Sequence, residues 1–132
     1  MIRRIHHVGL AVADLEGAIA LYGGGFGAQM VRRGHSDAEA MDFALMRIGA
    51  SELELMHSAD QGSAVSRFLA RRGPGVHHLA YQVSDLPGAV EEMADRGHRL
   101  VGGIRAGVHG NRVAFLHPSS MGGVLTELVE EI

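Results

Sequence analysis

The feature that most constrains this chain is an internal repeat with a period of about half its length. Residues 76–80, Val-His-His-Leu-Ala, restate residues 5–9, Ile-His-His-Val-Gly, and the corresponding histidines lie 71 positions apart. The residues that follow keep the same offset: Val12 with Val83, Asp14 with Asp85, Leu15 with Leu86, Gly17 with Gly88, and Ala18 with Ala89. A period this long exceeds that of a solenoid repeat, so the repeat predicts two similar modules in a single domain of residues 1–132. We place module one at residues 1–73 and module two at 74–132, because Pro74-Gly75 marks a break between them.

The composition limits the chemistry that the chain can perform. There is no cysteine, and all 12 basic residues are arginine. These absences exclude a thiolate nucleophile, a zinc–thiolate cluster and Schiff-base catalysis by lysine. The remaining reactive groups are mainly 9 histidines and the carboxylates. Such groups suit proton transfer and the binding of hard or borderline metal ions.

The charge and hydropathy pattern predicts a cytoplasmic protein without a membrane span. The 12 basic and 15 acidic residues give a net charge of −3, which argues against a nucleic-acid-binding surface. No apolar run approaches the roughly 18 residues that are needed to cross a bilayer. The first residues do not resemble a signal peptide, because histidines follow Arg3 and Arg4 where an apolar segment would be required.

Hydrophobic periodicity predicts the same order of elements, βαβββ, in each module. We expect helices to begin at Asp14, Ser63 and Asp85 and to end near glycines 23–25, 73 and 97, with the second helix linking the modules. We expect a tight turn at residues 118–123, and the alternation of Met41, Phe43 and Leu45 with their neighbours predicts the strand at 41–46. The predicted strands are residues 5–13, 30–33, 41–46, 52–57, 76–84, 99–102, 112–117 and 124–130.

The repeated histidines and two glutamates predict a metal site. Neighbours in a strand point to opposite faces, so only one histidine of each pair can line a given cavity. Glu54 lies five residues after Gly49 and Glu127 five after Gly122, which makes the glutamates equivalent. One histidine and one glutamate from each module give a His2Glu2 set suited to six-coordinate Mn, Fe, Co, Ni or Zn. We expect Glu52 and the other histidine of each pair to support the ligands or face solvent. Four histidines outside the repeat are predicted to lie on the surface: His35, His57, His98 and His109.

Longer stretches resemble the vicinal oxygen chelate superfamily and, within it, the methylmalonyl-CoA epimerases, over essentially the whole chain. These stretches are residues 5–12, 63–73 followed by 76–78, 107–118, and 122–128. The most specific is Phe-Leu-His-Pro followed by Gly-Gly-Val-Leu-Thr-Glu-Leu. The resemblance implies an α+β fold in which two tandem βαβββ modules form a curved, cup-like mixed sheet around one metal site. It assigns the ligands to His7, Glu54, His78 and Glu127, and it places either Gln or Glu at the position of Glu54.

The resemblance further implies an isomerase that epimerises 2-methylmalonyl-CoA, or a close 2-alkylmalonyl-CoA, through an enolate stabilised by one divalent ion (Co, Ni, Mn, Zn or Fe). It also implies a homodimer. Glu127 matches the position that both binds the metal and carries the proton. The sequence departs from the family where some epimerases have a second catalytic Glu, because Phe43 falls there. Asp42, Glu39 and Glu54 are the candidates for that second base.

Other functions remain open at this point. A glyoxalase I-type isomerase would use the same four ligands, although residues 63–73 and the Phe-Leu-His-Pro turn argue against it. A small-molecule binding or resistance protein would use the same fold without a metal, and such proteins usually lack the ligands. A ring-cleaving dioxygenase would use two His and one Glu with Fe(II), on a longer chain. Arginines that could meet the phosphates of an acyl-CoA are Arg71, Arg72, Arg105 and Arg112, and the sequence favours none of them.

Overall fold

The structure is a computed structural model that describes residues 1–131, and these residues form eight strands and three α-helices. The strands are β1 (Ile2–Ala11), β2 (Gln29–Ser36), β3 (Met41–Ile48), β4 (Ser51–His57), β5 (Gly75–Val83), β6 (Leu100–Ala106), β7 (Arg112–Leu116) and β8 (Thr126–Glu130). The helices are α1 (Leu15–Ala20), α2 (Ala64–Arg72) and α3 (Leu86–Asp95). Within residues 1–131, none of the helices has the length and apolar character needed to cross a membrane.

The chain forms two compact units. The first unit is His7–His77, and the second combines Met1–His6 with the chain from His78 onward. Strand β1 is therefore divided, because its first half belongs to the second unit and its second half to the first. The division into modules at residues 73 and 74 stays a prediction.

The first unit contains four strands in the order β2-β3-β4-β1, of which only β4 and β1 run parallel. Helix α1 covers one face of these strands, where Ala44, Met46 and Leu55 are buried against apolar side chains of the helix. Met41, Phe43 and Leu45 are buried on the other face of β3. The predicted strand at 41–46 is confirmed, and both of its faces carry buried apolar side chains.

The second unit repeats this arrangement, with strands in the order β5-β8-β7-β6 and only β5 and β8 parallel. Helix α3 buries Leu86 and Ala89 against one face of the strands. The other face carries a smaller cluster in which Phe115 packs against buried aliphatic side chains: Ala80, Val113 and Val129. In both units, therefore, one face of the strands packs on a helix and the other face is available for a site.

Gly17 and Gly88, which the repeat places at equivalent positions, each lie close to the aspartate that precedes the helix. A Cβ atom at Gly17 would lie 2.7 Å from Asp14 Oδ2, and one at Gly88 would lie even closer to Asp85 Oδ2. A side chain at either position would collide with the aspartate that precedes its helix. Gly88 N–H also donates a hydrogen bond to Asp85 Oδ1 (3.1 Å), which caps α3. Within the described part of the chain, the Asp14 side chain makes no such bond to α1.

The main differences from the predicted elements lie at exposed or glycine-rich segments. The helical segment that begins with α1 ends at the glycines 23–25, as predicted, but its last turn, Leu21–Gly25, is π-helical. Strands β2 and β6 are longer than expected, and almost all of their residues are exposed. The turn after β7 contains a short 3-10 helix at Pro118–Ser120. The start of α2 after Ser63 and its stop at Gly73, where φ is 73°, are confirmed.

Candidate metal centre

A buried histidine and a buried glutamate face each other in the first unit. His7 lies on β1 and Glu54 on β4, and Gly9, two residues after His7, lies directly opposite Glu54 across the parallel pair. Side chains two residues apart share a face, so this register places His7 and Glu54 on one side. His7 Nε2 and Glu54 Oε1 are 3.8 Å apart, and the two residues are only 3% and 4% exposed.

The second unit contains the equivalent pair. His78 lies on β5 and Glu127 on β8, and Ala80, two residues after His78, lies directly opposite Glu127. His78 Nε2 and Glu127 Oε1 are 3.2 Å apart, and both residues are buried. The edge of an aromatic ring packs against the imidazole, because the ring centroids of His78 and Phe115 are 5.9 Å apart at an interplanar angle of 78°.

The alternation of residues along each strand determines which histidine of a pair faces the glutamate. In each unit we call the face of the strands that carries the His–Glu pair the ligand face. The other histidine of each pair makes different contacts, since it points to the other side of its strand. His6 Nε2 lies 2.7 Å from Glu131 Oε2, and the His77 ring meets Phe68 edge-on with centroids 5.0 Å apart. These contacts agree with the prediction that His6 and His77 are not the ligands.

The chemistry of these groups fits a divalent cation. Imidazole nitrogen and carboxylate oxygen are donors that Mn, Fe, Co, Ni and Zn accept. A buried carboxylate is costly unless a cation or hydrogen-bond donors compensate its charge. His7 and Glu54 in the first unit and His78 in the second are all buried and each offers one such donor atom. Glu127, the fourth predicted ligand, is buried beside His78.

Two candidates for the second base, Asp42 and Glu39, lie on β3 and in the turn before it. Asp42 is exposed on β3, and its Oδ1 lies 2.8 Å from His35 Nδ1. Asp42 lies opposite His57, whereas Leu45, three residues later, lies opposite Glu54. An odd separation along a strand reverses the face, so Asp42 points away from the ligand face. It lines a surface cavity of about 570 Å³ together with His35 and His57. Glu39 is half-buried in the turn before β3.

Two arginines lie on the ligand faces: Arg105, which is one of the four predicted candidates for phosphate contacts, and Arg32, which is not among them. Arg32 lies over the ring of Phe43, with its Cζ atom 5.1 Å from the ring centroid. Arg105 lies over Phe115 in the second unit at 5.0 Å. A signal was present in the sequence, because Arg32 and Arg105 are 73 positions apart, the same spacing as Glu54 and Glu127.

The histidines outside the repeat are not all on the surface. His35 is exposed, as predicted, but the prediction was wrong for three others that are half-buried: His57, His98 and His109. His57 Nδ1 is 3.0 Å from Val12 O, and His98 Nδ1 is 2.8 Å from Ser120 O. These ring nitrogens tie loops to the strands, a role that residue type and spacing alone do not reveal.

An ion pair joins β7, β8 and the start of α3. Glu130 accepts a hydrogen bond from Leu86 N–H (3.0 Å) and two from the Arg112 guanidinium (2.8 and 2.9 Å). The Leu86 N–H first, and the Arg112 guanidinium second, hold the pKa of Glu130 below its usual value of 4.5. Arg112, one of the arginines considered for an acyl-CoA, is therefore held by a carboxylate of its own unit.

The comparison with protein families defines the class of this protein. Residues 6–115 match the family model described as Glyoxalase/Bleomycin resistance protein/Dioxygenase superfamily. The chain belongs to that superfamily, which is the vicinal oxygen chelate group that the sequence resembles. Its relatives along the full length are methylmalonyl-CoA epimerases, which are isomerases.

Three individual similarities are informative. The ethylmalonyl-CoA/methylmalonyl-CoA epimerase of Cereibacter sphaeroides is 34% identical over 131 residues, which cover 97% of this chain and 98% of the relative. The crystal structure of methylmalonyl-CoA epimerase from Mycobacterium tuberculosis has a TM-score of 0.93 and 38% identity, covering 99% of this chain and 89% of that one. A methylmalonyl-CoA epimerase in complex with methylmalonyl-CoA and NH4+ has a TM-score of 0.94 and 33% identity, covering 99% and 96%. These similarities confirm the predicted α+β fold class.

Proposed function

We propose that this protein is an isomerase that epimerises 2-methylmalonyl-CoA, or a close 2-alkylmalonyl-CoA, with the help of a divalent metal ion. The observation that carries the proposal is the buried His–Glu pair that occurs once in each unit, at His7 and Glu54 and at His78 and Glu127. The epimerases matched over the full length of the chain supply the substrate class. They also favour this function over a glyoxalase I-type isomerase or a binding protein.

We propose that His7, Glu54, His78 and Glu127 together bind one ion, which could be Co, Ni, Mn, Zn or Fe. The support is the matching donor type, face and burial of the two pairs. When bound, such an ion polarises the thioester oxygen and stabilises the negative charge that develops when the C2 proton leaves. The chain's own task is then to move that proton and to keep water away from it.

Glu127 is the proposed base that removes the C2 proton. Its environment suits that task, because Phe115 lies directly opposite it on β7 and Ala80 directly opposite it on β5. These apolar neighbours shield one side of the carboxylate from water. Glu127 must also lie within hydrogen-bond reach of the C2 proton when substrate is bound.

Inversion at C2 requires proton delivery to the opposite face of the planar enolate, and we propose Glu54 for this step. Glu54 is buried on the ligand face of the first unit. Asp42 is a poor candidate because it points to the other face of β3 and contacts His35. Phe43 occupies the ligand-face position where the family resemblance would allow a glutamate.

We further propose that the protein is a cytoplasmic homodimer. The support for self-association is apolar exposure along the outer strand of each unit: Met30 and Val31 on β2, and Val101 and Ile104 on β6, are 37–41% exposed. An exposed outer strand with aliphatic side chains favours pairing with another chain. Light scattering coupled to size-exclusion chromatography should give a mass of twice 14.0 kDa. The cytoplasmic location stays a prediction from the sequence.

The test of the proposed function is deuterium uptake at C2 of methylmalonyl-CoA in D2O, followed by mass spectrometry. Uptake should be rapid, should stop when EDTA removes the metal, and should return when Co(II) or Mn(II) is added. Succinyl-CoA, in which two carbons separate the thioester from the carboxylate so that neither carbon is bonded to both groups, serves as the control substrate and should not exchange. No uptake by the metal-loaded protein would refute the proposal.

A further inference from the structure

We propose that Arg32 and Arg105 are anion-binding residues that position the acyl-CoA substrate on the ligand faces. The anion is either the free carboxylate of the acyl group or a phosphate of the carrier. This inference rests on the proposed function for the identity of the substrate. It assigns a role to a pair of residues that lie outside the proposed metal ligands and bases.

In the first unit, strand register places Arg32 on the same face as Glu54. Arg32 on β2 lies opposite Leu45 on β3, and Leu45 lies opposite Glu54 on β4. The guanidinium lies over the buried ring of Phe43, two residues before Leu45 on the same face. Gly34 makes room for that ring, because a Cβ atom at this position would lie 3.2 Å from Phe43 Cζ.

In the second unit, the same construction places Arg105 on the face of Glu127. Arg105 on β6 lies opposite Val113 on β7, and Phe115, two residues after Val113, lies opposite Glu127 on β8. The guanidinium lies over the half-buried ring of Phe115. The ring thus contacts the ligand His78 and the arginine. A substrate group bound by Arg105 would lie near the proposed proton-transfer site of this unit.

The two arginines also share a backbone feature. The pairing of β2 with β3 shifts register between Met30 and Arg32, and the pairing of β6 with β7 shifts between Val101 and Arg105. In each unit the arginine is the first residue paired after the irregularity. A β-bulge changes the direction of the side chains that follow it, and such irregularities occur often beside active sites. Two unrelated surface arginines would not be expected to share all of these features. Each lies on the outer strand of its unit and on the ligand face, stacks on a phenylalanine ring and follows a register shift.

The chemistry of a stacked guanidinium suits an anion of an acyl-CoA. Stacking on a ring fixes the plane of the group, and the N–H donors of a guanidinium point outward in that plane toward carboxylate or phosphate oxygens. Both arginines are exposed residues, so a ligand can approach them from solvent.

Single Arg32→Met and Arg105→Met variants test the proposal, because methionine still covers the ring but lacks the charge. We expect KM for methylmalonyl-CoA to rise by about tenfold to a hundredfold, the range for losing a charged hydrogen bond. Arg96→Met is the matched control, since Arg96 lies on α3 with Glu92 as its partner. A KM within twofold of wild type in either variant overturns the assignment for that arginine. A lower melting temperature with unchanged KM would mean that the residue only covers the ring.

Methylmalonyl-pantetheine, which lacks the phosphates of CoA, separates the two sources of the anion. If the arginine binds the acyl carboxylate, the rise in KM should be the same for both thioesters. If it binds a phosphate, the rise should disappear with the truncated substrate, for which wild type and variant should be alike. Either result supports an anion-binding role and identifies the anion.

A binding measurement separates this inference from the proposed function. Calorimetric titration of the protein with CoA and with malonate needs no turnover. If methylmalonyl-CoA shows no exchange but Arg32→Met or Arg105→Met weakens binding of either probe, the proposed reaction fails and the anion subsite stands. If exchange is normal and both variants bind and turn over like wild type, the reaction stands and the anion subsite is wrong.

Discussion

The two units keep the same ligand face but differ on the face that packs against a helix. Each unit places a buried histidine and a buried glutamate on its two parallel strands, with Nε2–Oε1 distances of 3.8 and 3.2 Å. Helix α1 has six residues, none of them buried, and runs into a π-helical turn, whereas α3 has ten residues and buries Leu86 and Ala89. The difference is expected if the His–Glu pairs are metal ligands as proposed, because an ion fixes ligand type and direction while a helix can be shortened and repacked.

The largest expected effect concerns the equivalence of the two histidines. We expect His7→Ala and His78→Ala each to lose the metal and at least about a hundredfold in exchange activity, since removal of a ligand is at least as costly as removal of a residue that orients one. Metal content can be measured by inductively coupled plasma mass spectrometry after dialysis. His35→Ala is the control, because His35 is exposed and contacts Asp37 and Asp42. A variant of His7 or His78 that keeps its metal would show that the units contribute unequally.

The two glutamates should differ in function although they are equivalent in position. Glu127→Gln should reduce C2 exchange by about a hundredfold to ten-thousandfold, the range for losing a general base. Glu54→Gln should retain exchange through Glu127 but slow inversion, so that deuterium uptake outpaces epimerisation. The family resemblance allows glutamine at position 54, which predicts that this variant keeps its metal. Full turnover in Glu127→Gln would refute its role, and an unchanged ratio of uptake to inversion in Glu54→Gln would remove Glu54 as the second base.

The repeat and the family resemblance concern the same residues, and in each unit the structure places the predicted histidine and glutamate on one face. The repeat alone left open whether His6 or His7 is the ligand. The alternation of faces and the register of Gly9 opposite Glu54 favour His7. The resemblance had already assigned His7, but for reasons of similarity and not of geometry. The site assignment as a whole awaits the variants described above.

The sequence predicted the outer strands and the first helix less well. β2 and β6 are exposed on both faces, so no apolar alternation marks their length. The glycines at 23–25 end the helical segment as predicted, but the sequence did not reveal that its last turn is wider, with Phe26 N–H donating to Leu21 O (3.2 Å). The pairing of each arginine with a phenylalanine on another strand depends on register, which a single sequence does not reveal.

A smaller effect should distinguish the two helix starts. Asp85→Ala removes the hydrogen bond from Gly88 N–H and should lower the free energy of unfolding by about 0.5–2 kcal/mol. Asp14→Ala removes no capping bond within the described residues and should change it by less than about 0.5 kcal/mol. Urea denaturation of the two variants beside wild type measures both values. Equal losses would mean that the starts of α1 and α3 are energetically alike despite their different geometry.

The smallest expected effect is a pH dependence that arises at Glu130 in the second unit. Glu130 and His57 are equivalent positions, 73 residues apart like the glutamate ligands, yet His57 contacts Val12 O while Glu130 binds Leu86 N–H and Arg112. The pKa of Glu130 is lower in the folded protein than its usual 4.5. A carboxylate with a lowered folded-state pKa contributes stability that is fully present above its unfolded-state pKa and is lost as the pH falls through its folded-state pKa.

Glu130→Gln should therefore destabilise the protein at pH 7 and matter progressively less as the pH falls below about 4.5, because wild type then loses the same charge. The measurement is the midpoint of urea denaturation for both proteins at intervals from pH 7 down to the lowest pH at which wild type is folded. Glu92→Gln is the control, an exposed glutamate that pairs with Arg96 on the surface of α3; its effect should be small at every pH, since exposed ion pairs contribute little. If the difference in denaturation midpoint between wild type and Glu130→Gln stays constant with pH, the carboxylate acts through its shape and hydrogen bonds. Its charge then does not distinguish the second unit from the first.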